Sequence, residues 1–501
     1  MNSIMFDKDC KKPGGEETLT VADFTDLKEV KDCLADLEAY FKKRGGMVVS
    51  DVIDSDGNQY VNLVQKGGGV LGVALVGYTY VLEKMKIRFL RLAGTSAGAI
   101  NTALMAVIKE RKDEKSEEVI KAICGLDFFE LVDGHPVARW LIKNFITHKD
   151  FQTQAKRVVS LIVGILALLI VGDIALLGLR NHYSWLSIAT KAAFVLTGVY
   201  ILLLGSLIAF VLSLLKRLKN SGFGINPGDF FYDWLKCQME KNGVHSVAEL
   251  RKKAAQRPEG LRLRPGNPES IDDLDIDVTF ITSELVTKNK IEFPKMYELF
   301  RLPTDEKQIH PAAFVRASMS IPVFFESYYI DNIDCLSDQI KKNWYDTFGE
   351  KNPPQKARFV DGGILSNFPI NIFFNKNVDY PRMPSFGIDL DDTKPSEKVS
   401  DASAWSFPGF AGRLFNTVRF YYDKDFQIKN RVLQKGVGTI ELADYSWLNF
   451  FLTGREKQDM FIRGALAAAE FLKHFEWEAF KTERFAMQQE ISKKPKTTAS
   501  K

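Results

Sequence analysis

Two long apolar runs near the middle of the chain constrain its fold more than any other feature. Residues 158–178 contain one charged side chain, Asp173, and residues 192–215 contain none. With a rise of about 1.5 Å per helical residue, each run reaches roughly 30 Å, the thickness of a bilayer core. The runs therefore predict two membrane-spanning helices, and a pair of buried core helices is the alternative.

The charges around the two runs predict their orientation. Basic residues are concentrated outside the pair, and few lie at the connection of residues 179–191. They are Lys149, Lys156, Arg157, Lys216, Arg217 and Lys219 on the outside, and Arg180 and Lys191 at the connection. The positive-inside rule predicts a two-span membrane protein with the bulk of the chain on the cytosolic face.

The sequence on both sides of this hairpin is typical of a folded α/β protein. The chain is 46% hydrophobic and 26% charged, which excludes a mostly disordered protein and a polytopic transporter. Strand-like residues 60–64 and 89–93 alternate with helical patterns at 71–82 and 97–108. This β-loop-α-β-turn-α order predicts a layered α/β fold with a largely parallel sheet.

The pattern divides the chain into consecutive parts. These are a polar segment and amphipathic helix at 1–57, an α/β domain at 58–390 interrupted by the hairpin at 158–215, a helical region at 391–486, and a basic tail at 487–501 that is expected to be disordered.

Charge and cysteine content exclude several partners. The net charge of +4 is too balanced to favour nucleic acid. The five cysteines lie far apart without zinc spacing, so we expect reduced thiols and predict no metal or other cofactor.

A candidate nucleophile follows the strand at 89–93. Gly94-Thr95-Ser96-Ala97-Gly98 lies between this strand and the helix at 97–108. Gly-x-Ser-x-Gly in this setting is typical of a nucleophile elbow, a sharp turn that exposes the serine hydroxyl.

A glycine-rich loop lies one βα unit earlier, at Gly67-Gly68-Gly69-Val70-Leu71-Gly72. Backbone N–H groups at the start of a helix suit an anion, either a nucleotide phosphate or an oxyanion. The loop lacks Gly-Lys-Ser/Thr and fits a dinucleotide fingerprint loosely, so it favours an oxyanion hole. A plain tight turn is the remaining alternative.

A serine nucleophile needs a base, and none of the six histidines lies in a glycine-flanked turn or beside a strand end with a carboxylate. Asp361-Gly362-Gly363, in contrast, follows the strand-like residues 358–360. An aspartate at the end of a strand is well placed for catalysis, although an ordinary Asp-Gly-Gly turn has the same sequence.

Taken together, these motifs resemble the patatin-like phospholipases. The glycine loop, the elbow at Ser96 and the Asp-Gly-Gly motif at Asp361 occur in the family's order. Residues 316–324 also resemble its Ala-Ser-x-x-Ile-Pro block, and the resemblance covers about residues 58–385.

The resemblance implies a three-layer α/β/α fold and a Ser–Asp dyad. Ser96 would be the nucleophile and Asp361 the general base and acid in hydrolysis of phospholipid acyl esters, without a metal. The supporting backbone would be Gly67, Gly68, Gly69 and Gly72 at the oxyanion hole, with Gly94, Gly98 and Gly362 in the motif turns. Many family members carry Arg or Lys where this chain has Leu71, so an altered head-group preference is expected.

The hairpin lies between Ser96 and Asp361 in the sequence, so a dyad requires two membrane crossings or none. Two crossings predict an enzyme anchored to its phospholipid membrane substrate. A neutral-lipid lipase or acyl thioesterase with the same dyad, and a catalytically silent lipid-binding or scaffolding protein, are the alternatives. The sequence leaves the head group, acyl position and oligomeric state open.

Overall fold

A computed structural model describes most of the chain. The described residues are 19–134 apart from 125 and 127, then 136, 139, 151–179, 186–220, 222–393 apart from 376, 377 and 379, and 407–493. The fold is mixed α/β, with a central sheet flanked by helices. The strands are β1 Val52–Ile53, β2 Gln59–Gln65, β3 Ile87–Thr95, β4 Gly224–Asn226, β5 Arg262–Leu263, β6 Val278–Glu284, β7 Asn289–Phe293, β8 Val323–Phe325, β9 Tyr328–Ile330, β10 Ala357–Asp361, β11 Ser385–Asp391 and β12 Val437–Glu441.

The main sheet has the order β12-β11-β2-β3-β6-β10-β9. The strands from β12 to β6 run parallel, as the alternating pattern predicts. β10 is antiparallel to β6 and to β9, so one side of the sheet is mixed. β2, β3 and β6 are almost entirely buried, as expected of central strands that are covered on both faces.

The described residues also form helices before, between and after the strands. They are Ala22–Thr25, Lys28–Lys43, Gly72–Lys84, Ala97–Val107, Ser116–Cys124, Phe151–Leu179, Leu186–Asn220, Asp229–Lys241, Val247–Ala254, Ala312–Ser318, Asp338–Phe348, Phe407–Lys429, Gly454–His474 and Trp477–Lys493. A small apolar cluster packs on the sheet, where Val64 of β2 and Ala93 of β3 contact Phe368 and Ile370.

The helix Gly454–His474 packs closely on the helix Gly72–Lys84. A Cβ atom on Gly77 would lie 2.0 Å from the carbonyl oxygen of Phe461, and one on Gly464 would lie 2.0 Å from that of Ala74. Side chains at these two positions would therefore force the helices apart.

The C-terminal part of the chain differs from the predicted pattern in two ways. Residues 391–486 include a strand as well as helices, because β12 pairs with β11 in the central sheet, and the helix Gly454–His474 packs against the helix Gly72–Lys84. The tail does not become irregular at residue 487, since the last helix continues to Lys493. Polar composition predicts exposure more reliably than it predicts the end of a helix. Residues 494–501 lie outside the described part.

The N-terminal amphipathic helix is present at Lys28–Lys43, where the spacing predicts it. Val30 and Leu37 on its apolar stripe are fully buried. This helix contacts Gly454–His474, so the two ends of the chain pack together.

The two apolar runs form long helices that contact each other. Segments Arg157–Leu179 and Leu186–Ser213 are long and apolar enough to cross a membrane, and 6% of each apolar window is buried. The two helices are therefore exposed in this structure and do not form part of its core. Their length and composition suit membrane spans.

The expectation of reduced cysteines is wrong at one position. Cys33 and Cys335 are free thiols, but Cys237 is disulfide-bonded. Separation in the sequence does not predict separation in the fold, which is why spacing alone misses this bond.

Candidate active site

Ser96 lies in a sharp turn between β3 and the helix Ala97–Val107. Its backbone has φ 53° and ψ −121°, a strained conformation for a residue with a side chain. A Cβ atom on Gly94 would lie 2.3 Å from the carbonyl oxygen of Gly98, so the turn requires glycine there. This is the geometry expected of a nucleophile elbow.

The sheet brings Asp361 to Ser96 across 265 residues of sequence. β6 lies between β3 and β10, with Ile281 paired to Thr95 and the adjacent Thr282 paired to Asp361. The Ser96 Oγ donates a hydrogen bond of 2.6 Å to Asp361 Oδ2. The Gly363 N–H donates to the other carboxylate oxygen, Oδ1, at 2.7 Å, which orients the carboxylate.

Both side chains are nearly inaccessible to solvent, with Ser96 4% and Asp361 5% exposed. A hydrogen bond to a carboxylate is stronger in such surroundings than in water. The arrangement can therefore hold the serine proton on a defined acceptor.

Ser318 supports the elbow from the helix Ala312–Ser318. Its Oγ accepts a hydrogen bond of 2.9 Å from the Ser96 N–H and donates one of 2.6 Å to the Ile281 carbonyl oxygen. The sequence places Ser318 only within the 316–324 block and does not indicate this role. The one available signal is a small hydroxyl residue in a motif.

The glycine-rich loop has fewer free donors than the sequence suggests. The Gly67 N–H donates to the Asn367 carbonyl oxygen at 3.0 Å, and the Gly72 N–H donates to the Gly69 carbonyl oxygen. Within the described contacts, the N–H groups of Gly68 and Gly69 have no acceptor. The oxyanion hole of four glycines stays a prediction, and among the described contacts the N–H groups of Gly68 and Gly69 are the ones without an acceptor.

Two further contacts hold the glycine-rich loop in place. The Val70 N–H donates to the Trp447 carbonyl oxygen at 3.1 Å. The Lys66 ammonium group forms an ion pair of 2.6 Å with Asp389 Oδ1. Gly69 has φ 56°, a left-handed conformation that favours glycine.

Leu71, which replaces a basic residue of the family, is 1% exposed and packs in the main core. The side chain is therefore not positioned to interact with a head group. This observation argues against a direct effect of Leu71 on head-group preference.

An apolar cleft adjoins the glycine loop and Ala97. The sequence does not reveal this cleft, because its walls come from separate parts of the chain. It is lined by Gly69, Val70, Gly72, Val73, Ala97, Ile100, Ile123, Leu126, Phe128, Leu131, Phe231 and Trp234.

Asp423 orders the segment that follows Asp361. Its carboxylate accepts hydrogen bonds of 2.8 Å from the Ser366 hydroxyl and from the Phe368 N–H. Burial raises the pKa of the Asp423 carboxyl, and these hydrogen bonds oppose the shift. No motif in the sequence points to Asp423.

Within the described ranges, no group of three His, Cys, Asp or Glu side chains could hold a metal ion. A metal-independent reaction therefore stays a prediction for solution measurements.

The fold and the site define an α/β protein in which a buried serine–aspartate pair lies beside a glycine-rich loop. Residues 63–374 match the model of the patatin-like phospholipase family. The chain belongs to this family, whose members are generally lipid acyl hydrolases.

Two individual proteins are similar to this chain. The uncharacterized protein YqhO of Bacillus subtilis (strain 168) is 25% identical over 419 residues, which cover 83% of this chain and 99% of that protein. The comparison with the crystal structure of VipD from Legionella pneumophila covers 86% of this chain and 70% of the VipD chain. The two chains are 13% identical, and the TM-score is 0.35.

Proposed function

We propose that this protein is a membrane-anchored acyl hydrolase that cleaves acyl esters of phospholipids through Ser96 and Asp361. The observation that carries the proposal is the buried hydrogen bond of 2.6 Å from Ser96 Oγ to Asp361 Oδ2. It joins a nucleophile elbow to a base at the end of a neighbouring strand, beside two free backbone donors.

In the first half of the reaction, Ser96 Oγ attacks the ester carbonyl carbon while its proton passes to Asp361 Oδ2. The carbonyl oxygen becomes an oxyanion, which the N–H groups of Gly68 and Gly69 stabilise. The carbon–oxygen bond to the leaving group then breaks. The leaving alkoxide takes the proton from Asp361 and departs as a lysophospholipid, with the acyl group on Ser96.

In the second half, water attacks the acyl-enzyme and gives its proton to Asp361. The ester bond to Ser96 breaks, Ser96 Oγ recovers a proton from Asp361, and a fatty acid is released. A carboxylate is a weak base toward a hydroxyl group, so the transfer depends on hydrogen-bond contact and on the exclusion of water. The hydrogen bond of 2.6 Å between Ser96 and Asp361 supports the first condition, and the burial of both side chains supports the second.

The apolar cleft supports a lipid substrate over a small soluble ester. Its walls include Gly69 of the loop and Ala97, which follows the nucleophile, so an acyl chain bound there would leave its carbonyl group near Ser96. Burial of each methylene group against these walls would contribute about 0.8 kcal/mol.

The proposed anchor is the helical hairpin, inserted with the catalytic domain on the cytosolic face. Two crossings keep Ser96 and Asp361 on the same side of the membrane. Basic residues flanking the hairpin, among them Lys216 and Lys219, support this orientation.

The test is fatty-acid release from mixed phospholipid vesicles, in EDTA, by the detergent-purified protein and its variants. Ser96→Ala and Asp361→Asn should each lower the rate by about a thousandfold or more, because each removes one half of the dyad. Ser55→Ala and Asp338→Asn change exposed residues of the same types and should leave the rate unchanged.

Equal release by the parent and both dyad variants would contradict the mechanism. Release from neutral-lipid or thioester substrates alone would contradict the phospholipid assignment and leave the dyad in place. Loss of all activity on adding EDTA would contradict metal-independent hydrolysis.

A further inference from the structure

Four large apolar side chains are exposed together near the base of the hairpin. We name Phe223, Leu285, Val286 and Val323 the rim patch. Their exposed fractions lie between 45% and 60%. A soluble surface normally keeps such side chains scattered, so a group of them indicates a contact surface.

Hydrogen bonds and strand pairing hold the rim patch in one place. Gly224, the residue after Phe223, pairs with Val323 between β4 and β8. The Leu285 N–H donates to the Arg358 carbonyl oxygen at 2.8 Å, and the Arg358 guanidinium lies 5.5 Å from the centre of the Phe223 ring. Arg358 therefore connects Phe223 with Leu285 and Val286.

The rim patch lies on the same side of the sheet as the dyad. Thr282 of β6 pairs with Asp361, and Leu285 follows three positions further along the chain. At about 3.3 Å per strand residue, Leu285 is roughly 10 Å outward from the dyad. The patch is thus at the rim of the proposed active site.

The chain tethers the rim patch to the hairpin. The second span ends at Ser213, and its helix continues to Asn220, three residues before Phe223. Seven helical residues rise about 10 Å and three extended residues span at most about 11 Å, so an inserted hairpin would hold Phe223 within roughly 20 Å of the end of the span. The patch therefore follows directly on the basic end of the helix proposed to enter the bilayer.

The charges around the rim patch suit a lipid surface. The Arg358 guanidinium lies over the rings of Phe223 and Tyr329, and Lys288 is exposed in the turn after Val286. The nearby Glu284 is buried, and its carboxylate accepts the N–H groups of Val286 and Thr287. Apolar side chains next to exposed cations are typical of proteins that lie on anionic membranes.

Two residues of the rim patch have backbone conformations that their side chains disfavour. Phe223 has φ 63° and Val323 has φ 71°. A β-branched residue such as Val323 is disfavoured at positive φ, and exposure of its apolar side chain is a further cost. A glycine or asparagine at either position would avoid the backbone strain and the exposed apolar surface. The fold itself therefore does not need these two side chains.

We propose that the rim patch docks into the boundary between head groups and acyl chains of the bilayer that holds the hairpin. Phe223, Leu285, Val286 and Val323 enter the acyl boundary, and Arg358 and Lys288 contact lipid phosphates. This inference rests on the proposed membrane anchoring, and it assigns a second contact through which the active site faces its substrate.

The first test measures depth without catalysis. A fluorophore is attached through Leu285→Cys in a Ser96→Ala protein, and the protein is reconstituted into vesicles of phosphatidylcholine and phosphatidylglycerol that contain lipids with a quencher in the upper acyl chain. The matched control attaches the fluorophore through Leu466→Cys, an exposed leucine on the helix Gly454–His474. The parent protein, treated in the same way, gives the background fluorescence from labelling of its five native cysteines.

We expect strong quenching at position 285 and little at position 466. Equal quenching at the two positions would overturn the proposal, as would quenching at 285 that disappears when protein copies are diluted in lipid, because that result indicates contact between copies. Since Ser96 is absent, this test stands or fails independently of the proposed hydrolysis.

The second test separates docking from chemistry. The double variant Leu285→Ser/Val286→Ser should lower hydrolysis of vesicle phospholipid by about tenfold, since two apolar side chains leave the membrane. Hydrolysis of a water-soluble short-chain ester should stay unchanged, and Leu466→Ser should alter neither rate. An equal loss on both substrates would overturn the docking role.

Discussion

Leu71 illustrates how one residue is interpreted differently in sequence and in structure. In the sequence it replaces a basic residue within the glycine loop, which predicts a change in head-group preference. In the structure its side chain packs in the core beneath the loop, 1% exposed. A buried apolar contact therefore stabilises the backbone that carries the Gly68 and Gly69 donors.

Leu71→Arg should destabilise the protein by more than about 3 kcal/mol, because it buries a charge without a partner. Leu71→Met keeps the volume and polarity and should cost less than about 1.5 kcal/mol. Thermal unfolding of the detergent-purified variants measures the difference. An unchanged unfolding temperature for Leu71→Arg, with a higher rate of hydrolysis, would instead indicate that position 71 faces the oxyanion.

At the scale of single elements, the helix Phe407–Lys429 orders the turn that follows Asp361. Asp423 near its end accepts hydrogen bonds from Ser366 and Phe368, while Ser366 accepts one through its carbonyl oxygen from the Thr95 hydroxyl at 3.1 Å. These contacts link the helix both to the turn at Ser96 and to the segment that follows Asp361.

The raised pKa of Asp423 predicts a dependence of stability on pH. The folded protein binds this proton more tightly than the unfolded chain does, so stability is greatest below the unfolded pKa and falls as the pH rises through the raised folded pKa. Asp423→Asn cannot ionise and should lack this loss. Unfolding temperatures between about pH 4 and pH 8 should fall more steeply for the parent than for the variant. Parallel curves would contradict a raised pKa.

The helix Asp229–Lys241 forms one wall of the apolar cleft through Phe231 and Trp234. Trp234→Ala should open the cleft and shift the preference toward longer acyl chains, by up to about fourfold per added methylene group. Fatty acids released from phospholipids of mixed chain length measure the shift. Tyr345→Ala removes an exposed aromatic ring elsewhere and should leave the distribution unchanged. An unchanged distribution for Trp234→Ala would place the acyl chain outside this cleft.

At the scale of the whole molecule, the hairpin interrupts the domain without separating its two halves. β3 precedes the hairpin, β6 and β10 follow it, and these strands pair within one sheet. In the proposed membrane topology, the two ends of the hairpin therefore emerge on the same side.

Cysteine labelling in intact bacterial cells tests this orientation. A membrane-impermeant maleimide should label Ser187→Cys, at the start of the second apolar helix, before the cells are lysed. Ser55→Cys, exposed near the central sheet, should be labelled only after lysis. Labelling of both positions only after lysis would contradict the two crossings, and labelling of Ser55→Cys alone in intact cells would reverse them.

Much of this protein is determined by local sequence. Apolar runs predict the two long helices because their length and composition are properties of contiguous residues. The βα alternation predicts β2, β3 and the helices beside them, since burial on both faces of a parallel strand leaves a short apolar run. The elbow at Ser96 is likewise predicted, because its turn requires glycine at neighbouring positions.

Other features depend on residues that are distant in the chain. The hydrogen bond from Ser96 to Asp361, the support from Ser318 and Asp423, and the apolar cleft all require the sheet to assemble first. The same is true of β12, which joins the sheet from a region that composition describes as helical. A sequence pattern reports the environment of each residue, whereas these contacts depend on strand order, and only the tertiary structure determines which distant residues become neighbours.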